Sequence, residues 1–231
     1  MDGQYSRLEA LIGKEKLERL KNASVAVIGC GAVGSFCLEP LIRAGIGRIT
    51  VVDHDSFEPS NLNRQLLATR DTVGRKKVEV AEERILSINP DCQVNAIDMF
   101  LTKENAATLI QGHDAVFDCI DSVESKCALI ETALALDIKI FSSMGAARKT
   151  DLKEIRYGEL FKTEGDPLAK AVRQRLRKAG IRGKVEVVFS PETPKDCSME
   201  GQRVLGSLGT VTALFGIMLA HKGIEYLTGE A

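Results

Sequence analysis

The sequence predicts an α/β fold: a Rossmann-like, doubly wound and mainly parallel sheet with helices on both faces, followed by an elaborated C-terminal part. Three observations carry this expectation. A strand, a glycine-rich turn, a helix and a second strand run from Val25 to Asp53. Short apolar runs then alternate with helix-length segments as far as Ser143, the pattern of βαβ units. The 231 residues, 44% hydrophobic and 27% charged, suit one globular α/β domain with an elaborated second half. The expected organisation is a single domain over 1–231. Within it, 1–22 is an N-terminal helical segment, 23–147 the Rossmann-like core and 148–231 the C-terminal elaboration.

In chain order, Leu8, Leu11, Ile12, Leu17 and Leu20 recur at helical spacing and predict one or two short amphipathic helices. Val25 to Ile28 is the first strand. Gly29, Gly31 and Gly34 follow in the G-x-G-x-x-G pattern: the first permits a tight turn, the second lets backbone approach a phosphate, and the third packs helix against strand. A phosphate would rest on the helix N-terminus, where unpaired N–H groups and the dipole favour negative charge. The helix is expected over about 34–44, with a kink or an early distortion at Pro40. The strand at Ile49–Val52 ends on Asp53, nineteen residues beyond Gly34 and placed to accept a ribose hydroxyl. These features alone do not separate NAD from ATP, or either from a tight turn that binds nothing.

A polar loop then leads to a helix over 76–89, ended by Pro90. Next come a strand at 93–97, a helix at 102–110, a strand at 115–118, a helix at 123–136 and a strand at 138–142. Asp53, Asp118, Asp121 and Ser143 fall at or just past strand ends, where such sheets bind ligands. Beyond Ser143 lie a small-residue turn (Gly145, Ala146, Ala147) and a short edge strand over 151–159. A helix opens at Asp166-Pro167 with N-cap and N1 chemistry. A strand at 184–190, a mobile loop over 191–203 and a final apolar helix over 207–226 complete the chain.

The formal charge of −1 says nothing about acidic partners, so any such argument is local. From Pro167 to Val185 there are seven cations (Lys170, Arg173, Arg175, Arg177, Lys178, Arg182 and Lys184) and no acid. Such a segment either grips RNA phosphates or is a solvated helix face. Six cysteines show no C-x-x-C pair, which argues against a zinc ribbon, and most sit among apolar residues as small core side chains. The N-terminus lacks the basic start and apolar core of a signal peptide, so the expected location is the cytoplasm. The longest uncharged run, 204–220, contains glycines and threonines and reads as a buried helix, with no membrane insertion.

An NAD enzyme needs little beyond the glycines and Asp53. This chain adds Asn61, Arg64 and Gln65 just after the acid-bearing strand, Lys77 opening the next helix, and Asp121 after a later strand. Together they supply two cations for a triphosphate and a carboxylate for Mg²⁺, which binds through few carboxylates plus substrate phosphates. Singly, Lys77 reads equally as a surface helix residue and Arg64 as a loop cation.

With these residues in view the chain resembles the E1-like adenylating superfamily, which includes ubiquitin-activating enzymes and the activators of sulfur-carrier proteins. The resemblance rests on the glycine turn, Asp53, the Asn61-Leu62-Asn63-Arg64-Gln65 run, Val73-Gly74 ahead of Lys77, Ile88-Asn89-Pro90, and Asp118 to Asp121. It implies that ATP binds with Asp53 on the ribose, that Asn61, Arg64 and Lys77 hold the phosphates, and that Asp121 holds Mg²⁺. It also implies a homodimer in which Arg7 of one subunit completes the partner's site. The chain lacks the paired C-x-x-C motif of the sulfur-carrier activators. It is most similar to the tRNA threonylcarbamoyladenosine dehydratases, through Asp121-Ser122-Val123 to Lys126, Gly145-Ala146-Ala147, Asp166-Pro167-Leu168-Ala169 and Phe189-Ser190.

That similarity implies ATP-dependent cyclisation of the threonylcarbamoyl group on adenosine 37 of tRNA, through carboxylate adenylation with release of AMP and pyrophosphate. The basic segment would then hold tRNA. Whether a cysteine desulfurase serves as sulfur-transfer partner stays open. Members of that family carry an Asp-Cys pair near the last helix, where Val204 and Leu205 stand here, so Cys197 is assigned no role. The alternatives are an activator of a ubiquitin-like protein's C-terminus, an NAD-dependent oxidoreductase, and a binding module that holds ATP without turnover.

Overall fold

The computed structural model describes residues 3–199, 202–203 and 205–230. Helices α1 (Ser6–Ile12) and α2 (Lys14–Asn22) precede strand β1 (Ser24–Ile28). The alternation continues as α3 (Gly34–Arg43), β2 (Arg48–Asp53), α4 (Lys77–Ile88), β3 (Gln93–Asp98), α5 (Ala106–Ile110), β4 (Ala115–Asp118), α6 (Val123–Ala135) and β5 (Lys139–Ser143). The C-terminal part adds β6 (Arg156–Glu159), α7 (Pro167–Lys178), β7 (Glu186–Phe189), the two-residue strands β8 (Ser198–Met199) and β9 (Gln202–Arg203), and α8 (Gly209–Thr228).

Seven strands make one sheet in the order β3-β2-β1-β4-β5-β7-β6, all parallel except β6 on the edge. The inner strand β1 is buried along its whole length, as expected of a parallel strand covered on both faces. Alternation of its side chains divides the core. Val25 and Val27 face Leu38, Leu41 and Ile42 of α3 and Phe215 and Leu219 of α8. Ala26 and Ile28 face Leu109 of α5, Leu129 and Ile130 of α6, and Val172 and Leu176 of α7. A side chain at Gly216 would meet the Val33 carbonyl at 2.3 Å, so this glycine lets α8 lie directly on the start of α3. The uncharged run thus ends up as a core helix, and no helix among the described residues is long and apolar enough to cross a membrane.

Strand order reverses between β1 and β4, the crevice where open α/β sheets bind ligands. Register brings the right residues to it: Ile28 pairs with Val52 and with Asp118, so Gly29, Asp53 and Cys119 emerge side by side.

α3 runs through Pro40 to Arg43, as expected in extent, and the Ala44 N–H bonds the Pro40 carbonyl at 2.9 Å. Three expectations need correction. α5 starts only at Ala106, because Asn105 Oδ1 accepts the Thr102 N–H at 2.8 Å and holds a turn where helix was expected. Asp151 likewise caps a 3-10 turn at Leu152–Glu154, which shortens the edge strand to β6. Residues 191–203 are not plain loop, since β8 and β9 pair antiparallel within them.

Candidate active site

One cavity of about 690 Å³ opens at the switch point. Its floor is the glycine turn. Gly29 has φ +93°, and a side chain at Gly34 would lie 1.7 Å from the Gly29 carbonyl oxygen, so the turn closes only with glycine at both positions. Gly31, Ala32 and Val33 line the cavity, and α3 begins directly after them at Gly34, where a helix N-terminus favours negative charge. Ser35 fastens this turn to its neighbour: its hydroxyl donates to the Gly31 carbonyl at 2.7 Å and accepts from the Leu66 N–H at 3.1 Å.

Of the residues singled out in the sequence, Gly29, Gly31, Asp53, Asn61, Arg64, Gln65, Lys77 and Asp121 all line this one cavity. Asp53 accepts the Cys30 N–H at 2.7 Å and the Asp55 N–H at 2.9 Å, which fixes its carboxylate at the end of β2. Lys77 is buried at the start of α4, and its ammonium donates to Asp55 Oδ2 at 2.8 Å. Burial pushes the Asp55 carboxyl up, but the hydrogen bond and charge of Lys77, with His54 and Lys76 nearby, outweigh it and hold the group below the usual carboxylate range. Arg64 donates to the Ser60 carbonyl at 2.7 Å and to Asn63 Oδ1 at 2.9 Å, which aims its guanidinium at the opening.

Asn61 is buried, and its side-chain oxygen accepts the Glu58 N–H at 3.1 Å, so it also shapes the turn. Gln65 is buried against Gly31, and its Oε1 has no hydrogen-bond partner among the described residues. Such an orphan in a cavity wall is costly unless a ligand serves it. Asp121 is exposed and free of protein partners among the described residues. The donor set therefore fits a polyphosphate with a divalent cation: backbone N–H groups, one arginine, one lysine and an uncommitted carboxylate. Asp53, His54 and Asp55 also lie close enough to share a metal ion, but Asp53 and Asp55 are already engaged as described.

The cavity extends well beyond what a triphosphate occupies. One end is walled by Met99, Phe100 and Leu101, with Phe100 packed edge-on against His54 at 4.7 Å between ring centres. These apolar residues suit a purine base. Sequence reading missed them; the signal was an apolar triplet directly after a strand ending on an acid. The other end is walled by the turn Gly145–Lys149, Pro167 and Leu168 at the start of α7, and Pro194 and Leu205. Val204, where the family's Asp-Cys pair is expected, lies outside the described residues. Cys197 is not among the cavity-lining residues.

Helix α7 leads away from that end with its cations on the exposed side. Arg175 pairs with Glu124 at 3.1 Å, Lys184 lies 3.8 Å from Glu186, Arg173 donates to Thr163, and Arg177 sits over the Phe161 ring. Lys170, Lys178 and Arg182 have no such partner among the described residues. Arg7 is exposed on α1 and does not line the cavity of its own chain.

The thiols of Cys30 and Cys119, beside the glycine turn, are held protonated. Burial, with Asp53 and Cys119 beside it, pushes Cys30 well up, and a hydrogen bond with Cys37 followed by burial does the same to Cys119. A cavity with phosphate donors, a free carboxylate and no thiolate is built for phosphoryl or adenylyl chemistry on a bound oxygen nucleophile.

The model of the ThiF family matches residues 5–231. The tRNA threonylcarbamoyladenosine dehydratase of Bacillus subtilis strain 168 is 48% identical over 192 residues, covering 83% of this chain and 76% of the relative. That of Escherichia coli K12 is 37% identical over 246 residues, covering 96% and 92%. The crystal structure of E. coli tRNA N6-threonylcarbamoyladenosine dehydratase in complex with ATP superposes with a TM-score of 0.91 at 36% identity, covering 98% of this chain and 94% of that one.

Proposed function

The chain belongs to the ThiF family, and from that membership and the cavity's donor set we propose the following reading of its activity. It is an ATP-dependent tRNA threonylcarbamoyladenosine dehydratase, acting by adenylation of the nucleoside's carboxylate. The observation that carries the reading is a single cavity with phosphate donors at its centre and an end walled by the start of a basic helix.

In this reading the threonylcarbamoyl carboxylate of adenosine 37 attacks the α-phosphate of ATP. One P–O bond forms, the bond to pyrophosphate breaks, and an acyl-adenylate results. The ureido group of the same side chain then attacks the activated carbonyl, closes a ring and expels AMP. The oxygen lost from the nucleoside leaves on AMP, so the net change in the nucleoside is loss of one water. Ring closure is intramolecular, and that proximity can replace on the order of 7 kcal/mol or more of barrier. No protein nucleophile is needed, in keeping with the raised thiols of Cys30 and Cys119.

The chain's own residues bind and orient. Asp53 holds the ribose, and Met99, Phe100 and Leu101 the base. The N–H groups of the glycine turn, with Asn61, Arg64, Gln65 and Lys77, stabilise charge developing on the phosphates. Mg²⁺, when bound, neutralises phosphate charge, and Asp121 is the residue to hold it. Arg7 reaches the partner's site in a homodimer. Lys170, Arg173, Arg175, Arg177, Lys178, Arg182 and Lys184 form the tRNA-facing surface, with Lys170, Lys178 and Arg182 free to take phosphates. The enzyme works in the cytoplasm, on tRNA.

The test is mass spectrometry of tRNA nucleosides after incubation of the protein with ATP, Mg²⁺ and tRNA bearing threonylcarbamoyladenosine. Loss of one water with equimolar AMP and pyrophosphate is expected. An unchanged nucleoside mass would defeat the reading, and ATP–pyrophosphate exchange driven by a Gly-Gly tail would replace it with activation of a carrier protein.

A further inference from the structure

A buried ion pair, which the chemistry above does not use, lies at the far end of the cavity. Asp166 and Lys149 have side chains 0% and 1% exposed, with Lys149 Nζ 2.8 Å from Asp166 Oδ2. The carboxylate is fully committed. Oδ1 accepts the Ala169 N–H at 2.9 Å as the N-cap of α7, and Oδ2 also accepts the Gly145 N–H at 3.1 Å. The ammonium in turn donates to the Ser190 carbonyl at 2.6 Å, just past β7.

One carboxylate thus ties together the turn after β5, the N-terminus of α7 and the end of β7. The first two wall the cavity beyond the phosphate site. The fit around the carboxylate is close: a side chain at Gly145 would come within 3.2 Å of Asp166 Oδ1. Arg148, between Ala147 and Lys149, is held at φ +63°, with its N–H on the Gly206 carbonyl and its carbonyl accepting from Lys195. The wall residues Pro194 and Leu205, each next to one of these partners, therefore hang on the same turn.

A buried ion pair is a poor source of stability, because desolvation offsets the attraction and an apolar pair of equal volume does as well or better. What the charged pair supplies is a fixed distance and direction between elements. We propose that the Asp166–Lys149 pair is a positioning device. It registers the basic helix α7 against the 145–148 turn, so that a nucleoside whose tRNA is held by α7 presents its carboxylate to the α-phosphate of ATP. The inference rests on the reading above that α7 faces tRNA. Neither residue touches the reacting atoms; both act through the turn and the helix.

The decisive variant is the double substitution Asp166→Asn with Lys149→Met. It removes both charges at once, keeps asparagine as a competent N-cap, and leaves no lone buried charge to unfold the chain. Three quantities are measured beside the parent protein: ATP affinity without tRNA, tRNA affinity, and kcat for nucleoside dehydration. ATP and tRNA affinities within twofold of the parent, with kcat lowered about 30-fold to 100-fold, are expected, since a misplacement of about 1 Å can cost on the order of 100-fold. A kcat within threefold of the parent overturns the proposal, because the register then does not depend on the pair. Parallel loss of ATP affinity and thermal stability also overturns it, by showing the pair to be structural. Failure of the underlying reading looks different: there the parent protein leaves the tRNA nucleoside unchanged, or exchange of the α7 cations leaves tRNA affinity unchanged.

Discussion

Replacing Lys77 with methionine separates a cation that serves the reaction from one that serves the fold. The side chain is 7% exposed and its ammonium lies 2.8 Å from Asp55, whose carboxylate is 50% exposed. With one partner half in water, solvent screening leaves the pair about 1 kcal/mol or less of stability. Methionine keeps the apolar stem in the wall, so the unfolding midpoint should fall by about 2–4 °C or less. The chemistry should suffer far more. Removing a preorganised positive group aimed at developing phosphate charge costs about 10²–10³ in turnover, or about 2.7–4 kcal/mol.

The assay is steady-state pyrophosphate release with modified tRNA, read beside a thermal melt. The carboxyl of Asp55 gives an internal check. Lys77 outweighs the effect of burial and lowers this group, so its removal should move the Asp55 titration upward in an NMR pH series. A depressed folded value contributes stability above the unfolded pKa and loses it as pH falls through the folded one. Parent and variant should therefore converge in stability in acid, as pH falls through the folded value of Asp55. A turnover loss under tenfold, or one explained by a collapsed melt, would refute the assignment of Lys77 to the phosphates.

Three further outcomes follow from the same geometry. Lys126→Met should destabilise by about 3–5 kcal/mol in urea unfolding, because it strands the wholly buried Asp118, 2.8 Å from the lost ammonium; adding Asp118→Asn should recover most of that. Charge reversal at Lys170, Lys178 and Arg182 together should leave ATP affinity unchanged. It should flatten the slope of log tRNA affinity against log salt by about 2–3, for three lost phosphate contacts. Glu39 accepts from Arg84 at 2.6 Å and from Arg43 at 2.6 Å. Burial pushes its carboxyl up, but the two arginines more than offset this and hold it low. Its stabilising effect is thus present above the unfolded pKa and fades as pH falls through the folded one. Glu39→Gln should cost about 1 kcal/mol at pH 7, and that cost should shrink as pH falls through the folded carboxyl's value, by chemical denaturation across an acid pH series.

Local chemistry made much of this legible in the chain. The alternation of strand and helix runs, the glycine turn and the Asp166-Pro167 helix start are each decided within a few residues, and the strands and most helices fall within a few residues of expectation. The cavity residues were found because each follows a strand end or opens a helix, and parallel topology sends all such positions to one edge. Errors came where a side chain competes with the backbone, as Asn105 does before α5 and Asp151 before β6. The pairs Lys126–Asp118 and Lys149–Asp166 were invisible for another reason. Nothing local marks a lysine as buried, and the partners sit on different elements.

The placement of α7 shows why net charge misled less than it withheld. Two charged contacts link this helix, with its N-cap, to the region of the ATP site. Arg175 reaches Glu124, three residues beyond Asp121, but both side chains are more than half exposed, 53% and 78%. Water and salt weaken that pair, and its two long side chains can part at little cost. Asp166–Lys149 is dry and satisfied on every side, so it cannot relax without leaving a charge stranded. An exposed contact of this kind can yield when an RNA phosphate competes for Arg175; the buried one cannot. If α7 faces tRNA as proposed, the helix exchanges its surface partners for RNA phosphates while its N-terminus keeps its register to the 145–148 turn. That combination is what an enzyme needs if it must accept a large polyanion and still present one carboxylate to one phosphorus atom.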